Sequence, residues 1–446
     1  MITLRQYQAA HYERLLSILK TQHVAGDFSD TGTGKTVVAL FLCKALDVVP
    51  LVLGPKSSRA GWERLAAQAE VEIEFCNYEK LRGRRVTRPD GTRITETQWL
   101  EEKPWGKGSF LKWKRDYELI IFDEVARCGG STSLNSKALI AAKRQARYIL
   151  CLSATAADDP RQCKALGYAL DLHGLSKKNH PSRLTYMSWL LRHGCTPGVF
   201  GGFDFSVDTV KQRKAFTRLH AEIFPSRGAR MRKAEIPNFP KTVIDVKWIT
   251  DETGKAQKYA AKLHDSNEGK SLGDAMEWRQ KLEILKVPYL VDLVEDYAQA
   301  SKVVIFVNFT EPLQLLREKL QKLLGYDQVG FISGAQAGKQ GDAERTRFLD
   351  LFQANKMAAL VCNIQAGGES LNAHDPTGQV ERTALICPCE SGRQLKQVCG
   401  RVNRDGGARS LQLIPLFADT YEQTVGERML AKGMNVDVFN DADLLA

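Results

Sequence analysis

"SDTGTGKT", Ser29 to Thr36, opens the apolar run "VVALFLCKAL". Glycines at 32 and 34, followed by Lys35 and Thr36, describe a glycine-rich loop that leads into a helix. At such a helix start, backbone N–H groups and the helix dipole face anionic oxygens. The lysine neutralises terminal phosphates, and the threonine hydroxyl can ligate magnesium. On this reading Asp30, Thr31, Gly32, Thr33, Gly34, Lys35 and Thr36 form a cradle for a phosphate chain and Mg2+. The usual pattern begins with glycine, but here Ser29 holds that position. A plain turn before a helix is the bland alternative. It loses, because Gly-x-Gly-Lys-Thr sits where a strand should give way to a helix.

Working outward, the chain has 446 residues, which at roughly 150 residues per domain suggests about three domains or subdomains. Hydrophobic residues make up 43% and charged residues 26%, ordinary values for a globular protein with a sizeable core. The net charge of +11 favours a polyanionic partner, nucleic acid or a membrane surface. Membrane loses, because no apolar stretch approaches the roughly 20 residues a span needs. The start, "MITLRQYQAAHYERLL", lacks a basic-then-apolar signal pattern. The expected compartment is therefore the cytoplasm, nucleoid-associated or in a phage-infected bacterium, with the nucleus left open. Ten cysteines are scattered without paired spacing, so they read as reduced, packed thiols and no structural metal is expected.

Short apolar runs recur along the chain: "PLVLGP" (50–55), "YELIIFDE" (117–124), "YILCLSAT" (148–155), "KVVIFVNF" (302–309) and "AALVCNI" (358–364). Continuous runs of this kind suit strands buried on both faces of a parallel sheet. Helical patterns such as "AGWERLAAQAE" and "EPLQLLREKLQKLL" lie between them. The alternation implies doubly wound α/β architecture with ligands at the carboxyl ends of strands. The expected division is one α/β lobe over 1–160, a helical insertion and connector over 161–240, and a second α/β lobe over 241–446.

Two further segments carry chemistry. In "IIFDEVA", Asp123 at a strand's carboxyl end is assigned to Mg2+ and Glu124 to positioning the attacking water. In "QVCGRVNR", Arg401 and Arg404 lie three apart, which on a helix places them on one face, suited to reach a γ-phosphate. Alone, each reads as a solvated loop or helix. In company with the phosphate loop and with "NIQAGGESLN", the functional reading is favoured.

The ordered set resembles helicase superfamily 2, and within it the Swi/Snf-type DNA-dependent ATPases, over nearly the whole chain. "LRQYQ" resembles the leading glutamine motif, which implies Gln8 as adenine reader with Arg5 beside it. "GPKSSRAGWE" resembles motif Ia and "CNYEKL" the tyrosine-bearing motif, implying nucleic-acid contacts at Lys56, Ser57 and Tyr78. "LSAT" resembles motif III, so Ser153 and Thr155 are expected to couple hydrolysis to lobe movement. "VVIFVNF", "AGGESLN" and "QVCGRVNR" resemble motifs IV, V and VI. These imply Asn308 and Gln365 at nucleic acid, Gly368 and Glu369 at nucleotide, and Gln397 beside the motif VI arginines. The resemblance implies two RecA-like lobes in tandem, and ATP as the bearer of the phosphate chain. Val125-Ala126, Ala156 and Asn403 depart from the family's usual residues and bear on coupling rather than on hydrolysis.

Between the tyrosine-bearing motif and motif II lies "RGRRVTRPDGTRITETQWLEEKPWGKGSFLKWKR", Arg82 to Arg115. Alternating basic and β-branched residues around Pro89-Asp90-Gly91 predict a hairpin. Arg84, Arg85, Arg88 and Arg93 are expected to meet phosphates. For Trp99, Trp105 and Trp113, packing on their own lobe is at least as well supported as stacking on an exposed base.

The expected function is an ATP-driven translocase or helicase on duplex or branched DNA, with single strands also possible. Small bacterial or bacteriophage fork-remodelling and branch-migration helicases in replication, recombination or repair are the nearest type, by analogy. An RNA helicase is the runner-up, and a nucleic-acid-binding scaffold with a weak ATP site is the third reading. Protein partners are left open.

Overall fold

Residues that bury both faces become the inner strands of two parallel sheets. The computed structural model describes residues 2–87, 91, 93–105, 108–176, 182–198, 201–206, 208–268, 271–336, 338–364, 371–389 and 391–441. The chain forms two units, Met1–Ile236 with Met434–Ala446, and Pro237–Gly433.

In the first unit the sheet strands are β1 (Val24–Asp27), β2 (Pro50–Gly54), β3 (Glu74–Asn77), β4 (Leu119–Asp123), β5 (Tyr148–Leu152) and β6 (Gly228–Ala229). Their order is β6-β1-β5-β4-β2-β3, with every pairing parallel. Leu51, Leu53, Ile120 and Phe122 join one buried cluster, whereas Val52, Leu119, Ile121 and Leu150 join another. Successive side chains point to opposite faces, so both faces of this sheet are covered. That explains runs without polar alternation.

The second unit repeats the plan with β7 (Thr242–Ile249), β8 (Lys302–Val307), β9 (Val329–Ile332), β10 (Ala359–Asn363), β11 (Arg382–Ile386) and β12 (Ser410–Phe417). The order is β7-β12-β11-β8-β10-β9, again all parallel. Val304 and Phe306 face one cluster, and Val303, Ile305 and Val307 face the other.

The segment read as a connector is helical over Lys164–Ala169, Tyr186–Arg192 and Thr209–Ile223. It packs with the first unit as far as Ile236: Trp189, Phe216, Leu219 and Ile223 share a core with Leu53 and Phe122. It also supplies β6 to the edge of the first sheet.

The 82–115 insertion forms two antiparallel hairpins, Arg84–Thr87 with Arg93–Glu96 and Leu100–Trp105 with Gly108–Trp113. Arg88, Pro89 and Asp90 lie outside the described residues, as do the side chains of Arg84, Arg85, Arg93 and Trp105. Trp113 is buried, with its indole N–H donating to the Ala138 carbonyl at 3.2 Å, and Trp99 packs against the same core. Trp113 is thereby a packing residue of its own unit, and the half-buried Trp99 packs there in part. No helix among the described residues is long and apolar enough to cross a membrane.

Candidate nucleotide site

Parallel register gathers the first unit's motifs. Asp27 and Asp123 both pair with Leu152 of the strand between them, so β1, β5 and β4 end at one level. The phosphate loop, "SAT" and "DE" follow those three ends. This is where a doubly wound sheet binds ligands.

The loop's shape is held from beneath. Gly32 and Gly34 take φ of +86° and +92°, the left-handed region that glycine enters without a Cβ penalty. A Cβ on Gly34 would lie 2.2 Å from Gln8 Nε2. Gln8 is buried near the start of α1 (Gln6–Gln22). Its Oε1 accepts from the Arg5 backbone N–H at 2.9 Å and its Nε2 donates to the Thr33 carbonyl at 3.0 Å. One N–H and one lone pair of that amide remain for another partner.

Ser29 is fully buried. Its hydroxyl oxygen accepts from the Met231 N–H at 2.8 Å and lies 3.2 Å from His11 Nε2. His11 Nε2 is also 3.1 Å from Asp27 Oδ2, and Asp27 Oδ1 accepts from the Ser29 N–H at 3.0 Å. Burial works against the charge of Asp27, but His11, Lys35 and Ser29 outweigh it and hold its carboxyl below the usual range.

Helix α2 (Lys35–Leu46) begins at the loop, placing Thr36 in its first turn. Lys35 Nζ donates to the carbonyls of Ser29 at 2.8 Å and Asp30 at 3.0 Å. Burial pulls its pKa down, while Asp27, Glu124, Asp30 and Asp123 oppose that. An ammonium in this setting is poised for a polyanion.

Asp123 ends β4. Its Oδ2 accepts from Trp62 Nε1 at 2.8 Å, and its backbone carbonyl accepts from the Tyr78 hydroxyl at 2.9 Å. Burial first, and Glu124 second, push its carboxyl up to about 6. A carboxylate so placed gains from a cation, which fits the magnesium role. Glu124 takes φ of +54°, a region that costs a non-glycine residue and clusters at functional sites. Ser153 Oγ is 3.5 Å from Glu124 Oε2 and accepts from the Thr155 N–H at 3.2 Å, and both Ser153 and Thr155 are buried.

Tyr78, expected at nucleic acid, is wholly buried and braces the Asp123 carbonyl instead. Lys56 and Ser57 are exposed just after β2. Trp62 lies within the segment that resembles motif Ia, and sequence reasoning gives it no role. Its signal is a tryptophan on an otherwise small-residue helix face.

In the second unit, Asn308 also departs from the expected nucleic-acid contact. Its side-chain amide donates to Glu283 at 2.6 Å and to the Pro388 carbonyl at 2.9 Å, tying the carboxyl edge of the sheet together. Helix α3 (Gly392–Val402) carries Gln397, half-buried, and Arg401, which is 5% exposed. The helix stops at Val402, and Asn403 is extended with φ of −124°. Arg404 therefore lies beyond the helix, and the shared-face spacing argument does not hold. A loop presents it instead: its carbonyl accepts from the Gly407 N–H at 2.9 Å. Asn403 donates to the Pro240 carbonyl at 2.9 Å, a contact that accounts for asparagine at this position. Gln365, Gly368 and Glu369 lie outside the described residues.

No family model matches the chain. A protein of Acanthamoeba polyphaga mimivirus, named provisionally as an ATP-dependent RNA helicase, is 26% identical over 469 aligned positions, spanning 98% of this chain and 84% of the relative. That match, along nearly the whole of this chain, is in keeping with the resemblance to helicases. A solved structure of the Sulfolobus solfataricus SWI2/SNF2 ATPase core in complex with dsDNA aligns over 98% of this chain and 94% of that one, at 15% identity and a TM-score of 0.36.

Proposed function

We propose that this chain hydrolyses ATP under the control of nucleic acid, and that hydrolysis drives it along duplex or branched DNA. The observation that carries the reading is the level termination of β1, β5 and β4, which brings the phosphate loop, Glu124 and Ser153 to one edge. Lys35 and the loop N–H groups bind the phosphates. Thr36 and Asp123 hold the magnesium that accompanies ATP and offsets phosphate charge. Glu124 orients the attacking water, and its link to Ser153 gives motif III a sensor of that position. Gln8 offers adenine one donor and one acceptor, a pairing suited to its N7 and N6 edge. Arg401 and Arg404 act on the transferring phosphate, with Gln397 beside them. Arg84, Arg85, Arg88 and Arg93 of the first hairpin, with Lys56 and Ser57, contact the nucleic-acid backbone. Fork remodelling or branch migration in replication, recombination or repair is the process this motor suits.

RNA is the second reading, favoured by the name of the mimivirus relative. Both are tested together by measuring ATPase with single-stranded DNA, duplex, fork, four-way junction and RNA at matched salt, since phosphate-driven binding depends on salt. Duplex or branched DNA should stimulate most, and strongest stimulation by RNA would reverse the order. Lys35→Ala should nearly abolish turnover and leave nucleic-acid binding intact. Arg401→Ala and Arg404→Ala should each cut stimulated turnover steeply, since a transition-state arginine is worth on the order of 10³–10⁵. Near wild-type hydrolysis by Lys35→Ala would remove the site assignment.

A further inference from the structure

The chain passes between its units twice, at Ile236–Pro237 and at Gly433–Met434. Segments adjoining both passages are bonded to the nucleotide motifs. Before the first passage, Arg230 donates to Asp30 Oδ1 at 3.0 Å and to the Phe28 carbonyl at 3.0 Å. Asp30 Oδ2 accepts from the Lys233 N–H at 2.8 Å, and its own N–H donates to the Met231 carbonyl at 3.0 Å. Beyond the second passage, the last turn of helix α4 (Tyr421–Asp441) reaches the same place. Asp441 accepts from Arg230 at 2.8 Å and from Arg232 at 2.8 Å, and Arg232 also pairs with Glu235 at 3.0 Å. Asn440, almost wholly buried, donates to the Ala154 carbonyl within "SAT" at 3.0 Å. Phe439 meets Phe28 edge-on with ring centroids 5.5 Å apart.

Asp30 belongs to the phosphate loop and Ala154 to motif III. A helix that merely completed a hydrophobic core would need Phe439 alone. Here its last two residues bond one motif directly and the other through a single arginine. The "RMRK" run, basic enough to read as a nucleic-acid patch, instead has its two arginines turned onto acidic partners inside the unit.

We propose that Arg230, Asp441 and Asn440 are positioning residues that latch both chain passages to the phosphate loop and motif III. Nucleotide occupancy of the loop is thereby transmitted to both passages. This inference rests on the ATPase reading above. Three carboxylates, Asp30, Asp441 and Glu235, alternate with two guanidinium groups in the latch, so removing one charge loosens its neighbours. A change in loop shape on binding phosphate must move Asp30, and with it Arg230 and Asp441.

The test uses the full chain. Hydrogen exchange is followed in residues 230–236 and 434–441, with and without a slowly hydrolysed ATP analogue and Mg2+, alongside basal and nucleic-acid-stimulated ATPase and the melting temperature. In the wild type the analogue should raise protection in both segments. Asp441→Asn, which keeps shape and removes charge, should suppress that response and lower the ratio of stimulated to basal turnover about fivefold or more, a typical coupling. Basal turnover and melting temperature should change little. Arg232→Gln serves as the second variant if Asp441→Asn folds poorly, and should act in the same direction. An unchanged ratio with unchanged nucleotide-dependent protection would overturn the latch. So would a parallel fall of both activities with the melting temperature, the mark of a purely structural role. If the wild type binds the analogue but no nucleic acid stimulates it, the proposed function fails while the exchange response still decides the latch. If the analogue does not bind, both fall together.

Discussion

Ser29 shows how one departure from a motif is explained by what its side chain touches. Its hydroxyl is the acceptor for the buried Met231 N–H and lies beside His11, which in turn faces Asp27. Glycine at this position would satisfy the motif and leave a buried donor unmatched. Ser29→Gly should therefore destabilise the protein by about 1–3 kcal/mol, the cost of a buried unsatisfied polar group. Urea unfolding measures it, and an unchanged midpoint would show the hydroxyl to be dispensable. Asp123 and Glu124 illustrate the same scale. Trp62 and Tyr78 fix the carboxylate and carbonyl of Asp123, and the chain leaves the strand through a left-handed backbone at Glu124.

At the scale of elements, the hairpin of Arg84–Thr87 and Arg93–Glu96 matters most for the proposed partner. Arg84 stands opposite Glu96 and Arg85 opposite Thr95, so the ladder carries more positive than negative charge. It belongs to an insertion anchored by buried Leu100 and Trp113. Replacing residues 84–95 with a short Gly-Ser turn should thus leave the fold and basal ATPase intact. It should weaken nucleic-acid affinity and flatten its salt dependence, because each phosphate no longer neutralised takes about 0.9 from the slope on duplex DNA. Junction processing should fall further than hydrolysis. An unchanged salt slope, with equal processing per ATP, would leave the hairpin without a role in binding.

Across the whole molecule, each unit holds an imidazole uncharged near neutral pH, His173 fully buried and His374 half-buried. Burial, opposed by the Cys163 and Gly174 backbone, holds His173 down at about 4, against an ordinary 6.5. Burial, with the charges of Arg404 and Arg382, holds His374 down at about 4 as well. The unfolded chain therefore binds more protons than the folded one between these values, and stability rises with pH there. The contribution is complete above about 6.5 and is lost as pH falls toward 4, at up to about 1.4 kcal/mol per pH unit for each group. Urea midpoints should drop between pH 7 and pH 5, and His173→Gln should flatten that drop. A pH-independent midpoint over this range would contradict it.

By itself the sequence determined the inner strands β2, β4, β5, β8 and β10 and the segments read as nucleotide motifs, but not the inner strands β1, β11 and β12, which carry Asp27, Arg382, Thr383, Ser410 and Gln412. A strand that packs apolar side chains on both faces reads as a continuous apolar run, and a phosphate loop needs glycine, lysine and threonine at fixed local spacing. Edge strands escape this reading. "TVIDVKWI" of β7 is exposed over most of its length and mixes polar with apolar residues, and β6 has two residues and no pattern at all. Spacing alone puts Arg404 on a helix, whereas the helix ends at Val402 and the extended Asn403 that follows bonds to Pro240, far away in the chain. The bracing of Asp123 by Trp62 and Tyr78, and of Asp30 by Arg230, itself held by Asp441, joins residues tens to hundreds of positions apart. No local period records such pairs. Only the folded chain, by aligning the carboxyl ends of parallel strands and packing the last turn of α4 beside them, decided which side chains meet.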